Sequence, residues 1–311
     1  MHRVVTGATG LIGKRLVEHW LNQQHTVTVI GRTQQHIEEV FGQRVQAVTW
    51  DRLTPAILQS AEAVVNLAGA NIGSKRWNAE RKKEILQSRV EATRKIAGLL
   101  AGLGAHAPAL LNASGVGVYG LQTQLYDGLP PRLDESTRLN CDAPPDFLSQ
   151  IVCEWEKAAQ PAIAAGVRVV FLRFGGVLAK EGGALSKMMQ PYLFFLGGPI
   201  GTGHQPFSWV AIDDVIRAID FLLANPVLSG PFNVAAPEGI TQRMLSEAIG
   251  KALNRPAAVT MPAFLLKLIL GEEMAQALLL EGQHAYPRRL LEAGFKFEYP
   301  EIDGALKHIL Q

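Results

Sequence analysis

Cysteine is nearly absent. The 311 residues contain two, Cys141 and Cys153, too few for a disulfide framework. Reduced thiols in a cytoplasmic protein are the expectation, with Cys153, inside a helical pattern, a small buried hydrophobe. No apolar run reaches the length needed to span a bilayer. The chain enters a strand at once, without a basic leader and cleavage site, so no secretory signal is expected. Neither sign of charge dominates: 30 Lys and Arg against 28 Asp and Glu leave a formal charge of +2. That excludes the strong field which nucleic acid or an acidic membrane surface would select. No His/Cys/Asp cluster has metal-ligand spacing, and neither G-x-S-x-G nor H-E-x-x-H occurs.

What is present is a globular α/β pattern. Apolar residues make up 48% of the chain and charged residues 19%, ordinary for a soluble fold. The length can bury a large core, in one elaborate domain or two lobes. RVVTG, TVTVIG, VQAVTW, AVVNLAG, ALLNASG and VRVVFLRFGG read as six strands, each a short apolar run ending in glycine or a polar residue. Helical segments separate them: Gly10 to Gln23, a weaker one after Thr33, a long one over 78–103 and another over 146–165. This alternation predicts a Rossmann-type doubly wound parallel sheet with helices on both faces.

After Gly176 the texture changes. Glycines and prolines crowd GGALSKMMQPYLFFLGGPIGTGHQPFSW, then Asp213 or Asp214 can cap a helix through Leu223. GPFNVAAPEG reads as a strand and turn. A helical tail follows from Thr241, broken at Pro256, Pro262 and Pro287. Two units are expected: a dinucleotide-binding domain over 1–175, and a smaller α+β lobe over 176–311 that shares its cleft. In the tail, FLLKLILGEEMAQALLLEG is apolar at helical spacing, so it reads as core or a partner face, too short for a membrane anchor.

The stretch TGATGLIG carries the first chemistry. It follows a strand and opens a helix at the start of an alternating chain, the context that gives a glycine pattern meaning. Gly7 allows the tight turn, Gly10 lets backbone approach a pyrophosphate, and Gly13 lets helix pack on strand. Thr9, Leu11 and Ile12 complete the turn, whose helix N-terminus offers free N–H groups and partial positive charge. The second strand ends at Gly31 and Arg32, where an NAD-selecting site would place a carboxylate. A guanidinium there suits a 2′-phosphate, so the expected cofactor is NADP(H). Asp51 could accept from the adenine amino group or simply cap a turn. Leu67, Ala68 and Gly69 are small or apolar enough for a dinucleotide to cross the sheet edge.

TGATGLIG, NLAGANI and LLNASGVGVYG together resemble the extended branch of the short-chain dehydrogenase/reductase superfamily. KRWNAERKKEILQSRV, GGPIGTGHQPFSWVAIDDV and the last seventy residues look like the predicted nucleoside-diphosphate-sugar epimerase family, an atypical group with its own C-terminal segment, here about 240–311. The resemblance implies a Rossmann-type fold and NADP binding and does not settle a substrate. The expectation is a reductase- or epimerase-type reaction on a small polar substrate, with sugar-linked compounds among the candidates. The resemblance places Glu84 and Arg89 beside the cofactor, although their spacing of five is not ideal for one helix face. It places Val177 where backbone meets the nicotinamide amide. By analogy with extended members, helices 78–103 and 146–165 are the faces through which a homodimer would form.

Hydride transfer at a carbon needs a proton moved on its oxygen, so an acid/base must sit beside the nicotinamide. The superfamily uses a Ser or Thr and a Tyr-x-x-x-Lys pair, the lysine lowering the tyrosine pKa. Here Ser114 follows the fifth strand, but it lies five residues before Tyr119, and the position four before is Gly115. In DFLSQIVCEWEKAA the best alignment puts Phe147 in place of tyrosine and Ile151 in place of lysine. Neither transfers a proton. Three readings stay open. Tyr119 acts with Ser114, unless it is a packing tyrosine of the VYG turn. His204, in a glycine-rich loop, supplies an acid/base of suitable pKa, unless it bonds only to backbone. Or NADP is bound without turnover, in a sensor or binding module. Gln205 is a further cleft candidate. Trp209 reads as core, and Arg173 as half of a structural ion pair with Asp213.

Overall fold

The computed structural model describes residues 1–123 and 128–311. The first half runs β1 (His2–Thr6), α1 (Leu11–Asn22), β2 (Thr26–Gly31), α2 (Gln34–Phe41), β3 (Gln46–Thr49), α3 (Pro55–Gln59), β4 (Ala63–Asn66), α4 (Ala79–Leu103) and β5 (Ala109–Gly115). Then come α5 (Phe147–Lys157), α6 (Gln160–Ala164), β6 (Val169–Phe174), β7 (Gly176–Ala179), α7 (Gly183–Leu193), β8 (Pro206–Phe207), β9 (Trp209–Ala211) and α8 (Ile212–Ala224). The chain ends with β10 (Gly230–Val234), β11 (Ile240–Thr241), α9 (Gln242–Leu253), α10 (Ala263–Leu270), α11 (Glu272–Ala275), a π-helical turn at 276–280, α12 (Arg288–Glu292) and α13 (Ile302–Leu310).

Seven strands form one sheet in the order β10-β6-β5-β4-β1-β2-β3, with every neighbouring pair parallel. Of the β-branched runs that alternate with helices in the sequence, all but VQAVTW, the edge strand β3, thus become inner strands covered on both faces. On one face Leu16, Val17 and Trp20 of α1 meet Val215, Ile219 and Leu222 of α8 over Val5 and Val29. On the other, Ile96 and Leu100 of α4 meet Ala159 and Ala162 over Val64 and Leu110. The chain builds outward from β1 to β3, then returns to the far side of β1 at β4. That reversal opens a crevice at the carboxyl ends of β1 and β4.

The seventh strand, β10, lies beyond residue 175, so the sheet draws on both sides of that boundary. Around it the lobe has its own core: Trp209, Leu185, Leu245, Ile249 and Leu306 pack together. Trp209 is core, as its apolar setting in the sequence indicated. Asp213 and Asp214 do not cap α8, which starts after Ala211 with no side-chain cap. Asp214 is instead fully buried and accepts from the Glu298 and Tyr299 backbone N–H groups, pinning the C-terminal tail to the sheet layer.

Cys141 and Cys153 are joined as a disulfide, their Cα atoms 5.5 Å apart. This corrects the expectation of reduced thiols. The loop before α5 folds back along that helix and brings together two residues that spacing alone left unrelated. Among the described residues no helix is long and apolar enough to cross a membrane.

Candidate functional site

The glycine turn joins β1 to α1 at the crevice. Gly7 has φ of +66°, and a Cβ there would lie 2.4 Å from the Leu67 carbonyl oxygen. A Cβ on Gly13 would lie 2.4 Å from the Gly7 carbonyl oxygen, so α1 sits directly on the turn. Gly10 differs: a Cβ would meet only the Gly7 carbonyl oxygen, at 3.3 Å. Gly10 is the N-cap of α1, no side chain caps it, and the first turn holds no acidic residue. The N–H groups over Leu11, Ile12 and Gly13 therefore face the crevice without an intrahelical acceptor, beside exposed Thr9. This donor set fits a pyrophosphate.

The neighbouring strand tips extend the groove. Gly31 of β2 pairs with Thr49 of β3, which sets Arg32 and Asp51 on adjacent loops. Arg32 is exposed. Asp51 is exposed too, its carboxyl held below the usual range first by a hydrogen bond from Thr49. Leu67 N–H bonds to the Thr6 carbonyl, keeping Leu67, Ala68 and Gly69 against β1. A Cβ on Gly69 would touch the Arg89 guanidinium carbon at 3.0 Å. Arg89 donates to the Ala70 and Ile85 carbonyls and lies over the Trp155 ring, 5.0 Å from its centroid. Burial, with the charge of Arg81, lowers its pKa to about 10.

A cavity of about 840 Å³ continues from this crevice into the lobe. Leu11, Arg89, Ser114 and Val177 line it together. Glu84, five residues from Arg89, points elsewhere: it is exposed and pairs with Arg81. A buried polar network stands behind Trp155 of the cavity wall. Thr6 donates to Asn66, Asn66 donates to Asn112 and Thr93, and the Trp155 indole donates to Thr93. These bonds tie the ends of β1, β4 and β5 to α4 and α5, and a satisfied network of this kind stiffens the rim.

Where the superfamily places its acid/base pair, α5 presents Leu148, Ile151, Val152 and Trp155 to the cavity. Phe147 turns away and packs edge-on against Trp77, ring centroids 5.1 Å apart. None of these residues titrates. Beneath them lies a cluster that sequence reading missed. Ser114 Oγ donates to Glu156 Oε1 at 2.6 Å, and Arg173 grips both Glu156 oxygens at 2.8 Å. Arg173 therefore pairs with Glu156 of α5, not with Asp213, which bonds Arg15 and His308. Burial works against the Arg173 charge, yet the Glu156 carboxylate holds its pKa above the usual range. Arg173 Nη1 also donates to Tyr119 Oη, whose own proton goes to Asn233 Oδ1 at 2.8 Å. Burial pushes the Tyr119 phenol upward. Tyr119 is thus a member of a buried ion-pair cluster behind the cavity wall, while Ser114 is at the wall.

His204 is exposed, and its backbone N–H bonds to Thr202 Oγ1. It is not among the cavity-lining residues, although Pro206, Phe207 and Ser208 beside it are. Gln205 donates to the Ile200 and Leu279 carbonyls and fastens the loop to the π-helical turn. FLLKLIL forms α10, with no buried residue; Leu266 and Leu270 of this helix face the cavity. Helix α10 thus walls the cavity, and further along the same apolar stretch Met274, Ala275 and Ala277 are buried. Among the described residues no group of three His, Cys, Asp or Glu is placed to hold a metal ion.

Known proteins share this architecture. Residues 3–235 match the model of the NAD dependent epimerase/dehydratase family, and residues 261–309 match a domain of unknown function, DUF1731. A chloroplastic homologue of epimerase family protein SDR39U1 from Arabidopsis thaliana is 37% identical over 99% of this chain and 86% of its own length. An epimerase family protein of Staphylococcus aureus is 34% identical over 99% and 98%. The crystal structure of human epimerase family protein SDR39U1 with NADPH is 33% identical, covers 99% of both chains and superposes with a TM-score of 0.85. UDP-glucuronic acid 4-epimerase from Bacillus cereus, 17% identical with a TM-score of 0.72, shares the fold. With the crevice, the glycine turn and the C-terminal segment all matched, this chain belongs to the NAD dependent epimerase/dehydratase family.

Proposed function

We propose that this protein binds NADP(H) across the carboxyl ends of β1 to β4 and uses it for redox chemistry at a carbinol or carbonyl carbon held beside Ser114. The observation that carries the proposal is the uncapped N-terminus of α1 at Gly10, with the exposed Arg32 guanidinium at the next strand tip. The human relative crystallised with NADPH agrees with it. Gly7, Thr9, Gly10, Leu11, Ile12 and Gly13 would hold the pyrophosphate, Gly31 and Arg32 the 2′-phosphate, and Asp51 with Leu67 to Gly69 the adenosine side. Arg89 and Val177 would border the nicotinamide half. The cofactor supplies hydride exchange.

The chain's own part is to place the reacting oxygen and handle its proton. Ser114 gives its hydroxyl proton to Glu156, so toward the cavity it offers lone pairs. It therefore accepts from a substrate hydroxyl, and a proton leaving that hydroxyl passes along Ser114 to the Glu156 carboxylate. In the carbonyl direction the protonated Glu156 returns it through Ser114 to the substrate oxygen. Arg173 fixes the carboxylate for this. Tyr119 and His204 have no part in the proposal. A second reading, cofactor binding without turnover, is favoured by the apolar face that α5 turns to the cavity.

Calorimetric titration tests the first step. Arg32→Ala should weaken NADPH by about 10- to 100-fold, the worth of charge-assisted hydrogen bonds, and leave NADH nearly unchanged. Equal losses for both would refute the 2′-phosphate assignment. Substrate-dependent NADPH oxidation lost in Ser114→Ala, with product analysis for internal hydride return, supports turnover; tight binding with silence across carbonyl compounds supports the second reading.

A further inference from the structure

The chemistry of the cavity limits what can occupy it. Its volume lies in the ordinary range for a small-molecule site. Beyond Ser114 and Val177 it runs between two apolar walls. Leu266, Leu270, Met274, Leu278 and Leu279 form one; Met188, Tyr192, Ile249 and Met261 form the other. Among the described lining residues only Arg89, Lys187 and Glu281 carry charge. Arg89 Nη1 donates to the Ala70 and Ile85 carbonyls, and the guanidinium lies over the Trp155 ring beside Gly69. The Lys187 ammonium donates to the Gly73 carbonyl on the cofactor side. Beside the π-helical turn the charged lining group is a carboxylate, Glu281, bonded to Gln276.

A nucleoside diphosphate carries two negative charges and needs cations or clustered N–H donors in that half of the site. The lobe offers leucines and methionines, one carboxylate, and the neutral amide of Gln283, whose Nε2 has no partner among the described residues. Burying a pyrophosphate there would leave it unpaired, at a cost far above what apolar contact returns. The apolar character also continues outward. Leu196 and Val259 line the cavity and are solvent-exposed, so they mark where it meets water. Around that mouth Phe194 and Phe264 are exposed at 71% and 72%, an apolar rim of the kind that marks a binding surface.

We infer that the substrate is an uncharged alcohol or carbonyl compound with an apolar body, whose reacting end lies at Ser114 and whose tail fills the space between α10, the π-helical turn and α7. This departs from the small polar, sugar-linked candidates considered from the sequence. It rests on the proposed function only for which end of the molecule reacts.

The test is a chain-length series. Straight-chain 2-ketones of six to twelve carbons are titrated into the full-length protein, with and without NADPH, and quenching of tryptophan fluorescence is followed, Trp155 being at the wall. Affinity should rise about fourfold per added methylene, 0.8 kcal/mol converted to a ratio, until the lobe is filled. Leu266→Gln and Leu270→Gln, half-exposed positions that fold tolerates, should weaken the longest ketone about tenfold or more while leaving NADPH affinity unchanged. UDP-glucose should bind neither the parent nor Glu281→Gln. An affinity flat with chain length overturns the inference, as does saturable UDP-glucose binding to the parent or to Glu281→Gln. Because binding is read without hydride transfer, a protein that fails to oxidise NADPH but shows the series retains this inference and loses only the turnover.

Discussion

Glu156 gives the sharpest prediction. Its carboxylate is bound by both donors of a nearly sealed guanidinium, with side-chain exposures of 14% for Glu156 and 3% for Arg173, and it takes the Ser114 proton as well. Glu156→Leu leaves Arg173 buried with only the Tyr119 hydroxyl as partner. Removing one member of a buried pair costs about 3–5 kcal/mol, and the orphaned Ser114 hydroxyl adds about 1 kcal/mol. Unfolding entropy near about 2 cal/mol/K per residue over 311 residues converts the pair's loss to a fall in melting temperature of about 5–8 °C. Urea denaturation and thermal scans read it. The double variant Glu156→Leu with Arg173→Met removes both charges and should recover most of the loss, since apolar replacement of a whole buried pair is often neutral. A single variant within about 1 kcal/mol of the parent, or a double variant worse than both singles, would refute the sealed-pair reasoning.

Other outcomes follow from the same structure. Gly7→Ala forces a left-handed residue to carry a Cβ against the Leu67 carbonyl and should destabilise by about 2–4 kcal/mol in urea titrations. Gly10→Ala has more room and should keep its stability while losing NADPH affinity in calorimetry, because the new methyl occupies the phosphate approach. Reducing Cys141–Cys153 opens a short loop, 12 residues in separation; dithiothreitol should lower stability by about 3 kcal/mol, a shift visible by calorimetric scan, and a non-reduced digest should contain the linked peptides. His284 is buried, and burial, opposed by the Pro130 carbonyl and aided by Arg132, lowers its pKa. The unfolded chain therefore binds the extra proton, so stability is full above about pH 6.5 and falls as pH drops below it. His284→Gln should flatten that slope between pH 7.5 and 5.5 in denaturant titrations.

The sequence by itself determined six strands of the sheet and the strand–turn–helix that opens it. These depend on local signals: β-branched runs, helical periodicity, and glycines whose spacing only one strand–turn–helix geometry explains. TVTVIG and ALLNASG became β2 and β5, and Thr33 and Asn78 cap the helices they precede. Tertiary structure alone decided the rest. Glu156 sits in what reads as an ordinary charged helix stretch, EWEKAA, and nothing in its spacing announces Ser114, 42 residues earlier, or Arg173, 17 residues later. The partners meet because β5, β6 and α5 converge at one rim. The disulfide, the displacement of Tyr119 behind the wall and the apolar wall made by α10 have the same origin. Each depends on which faces long-range packing turns toward one another, and a one-dimensional pattern of residue types does not contain that distance.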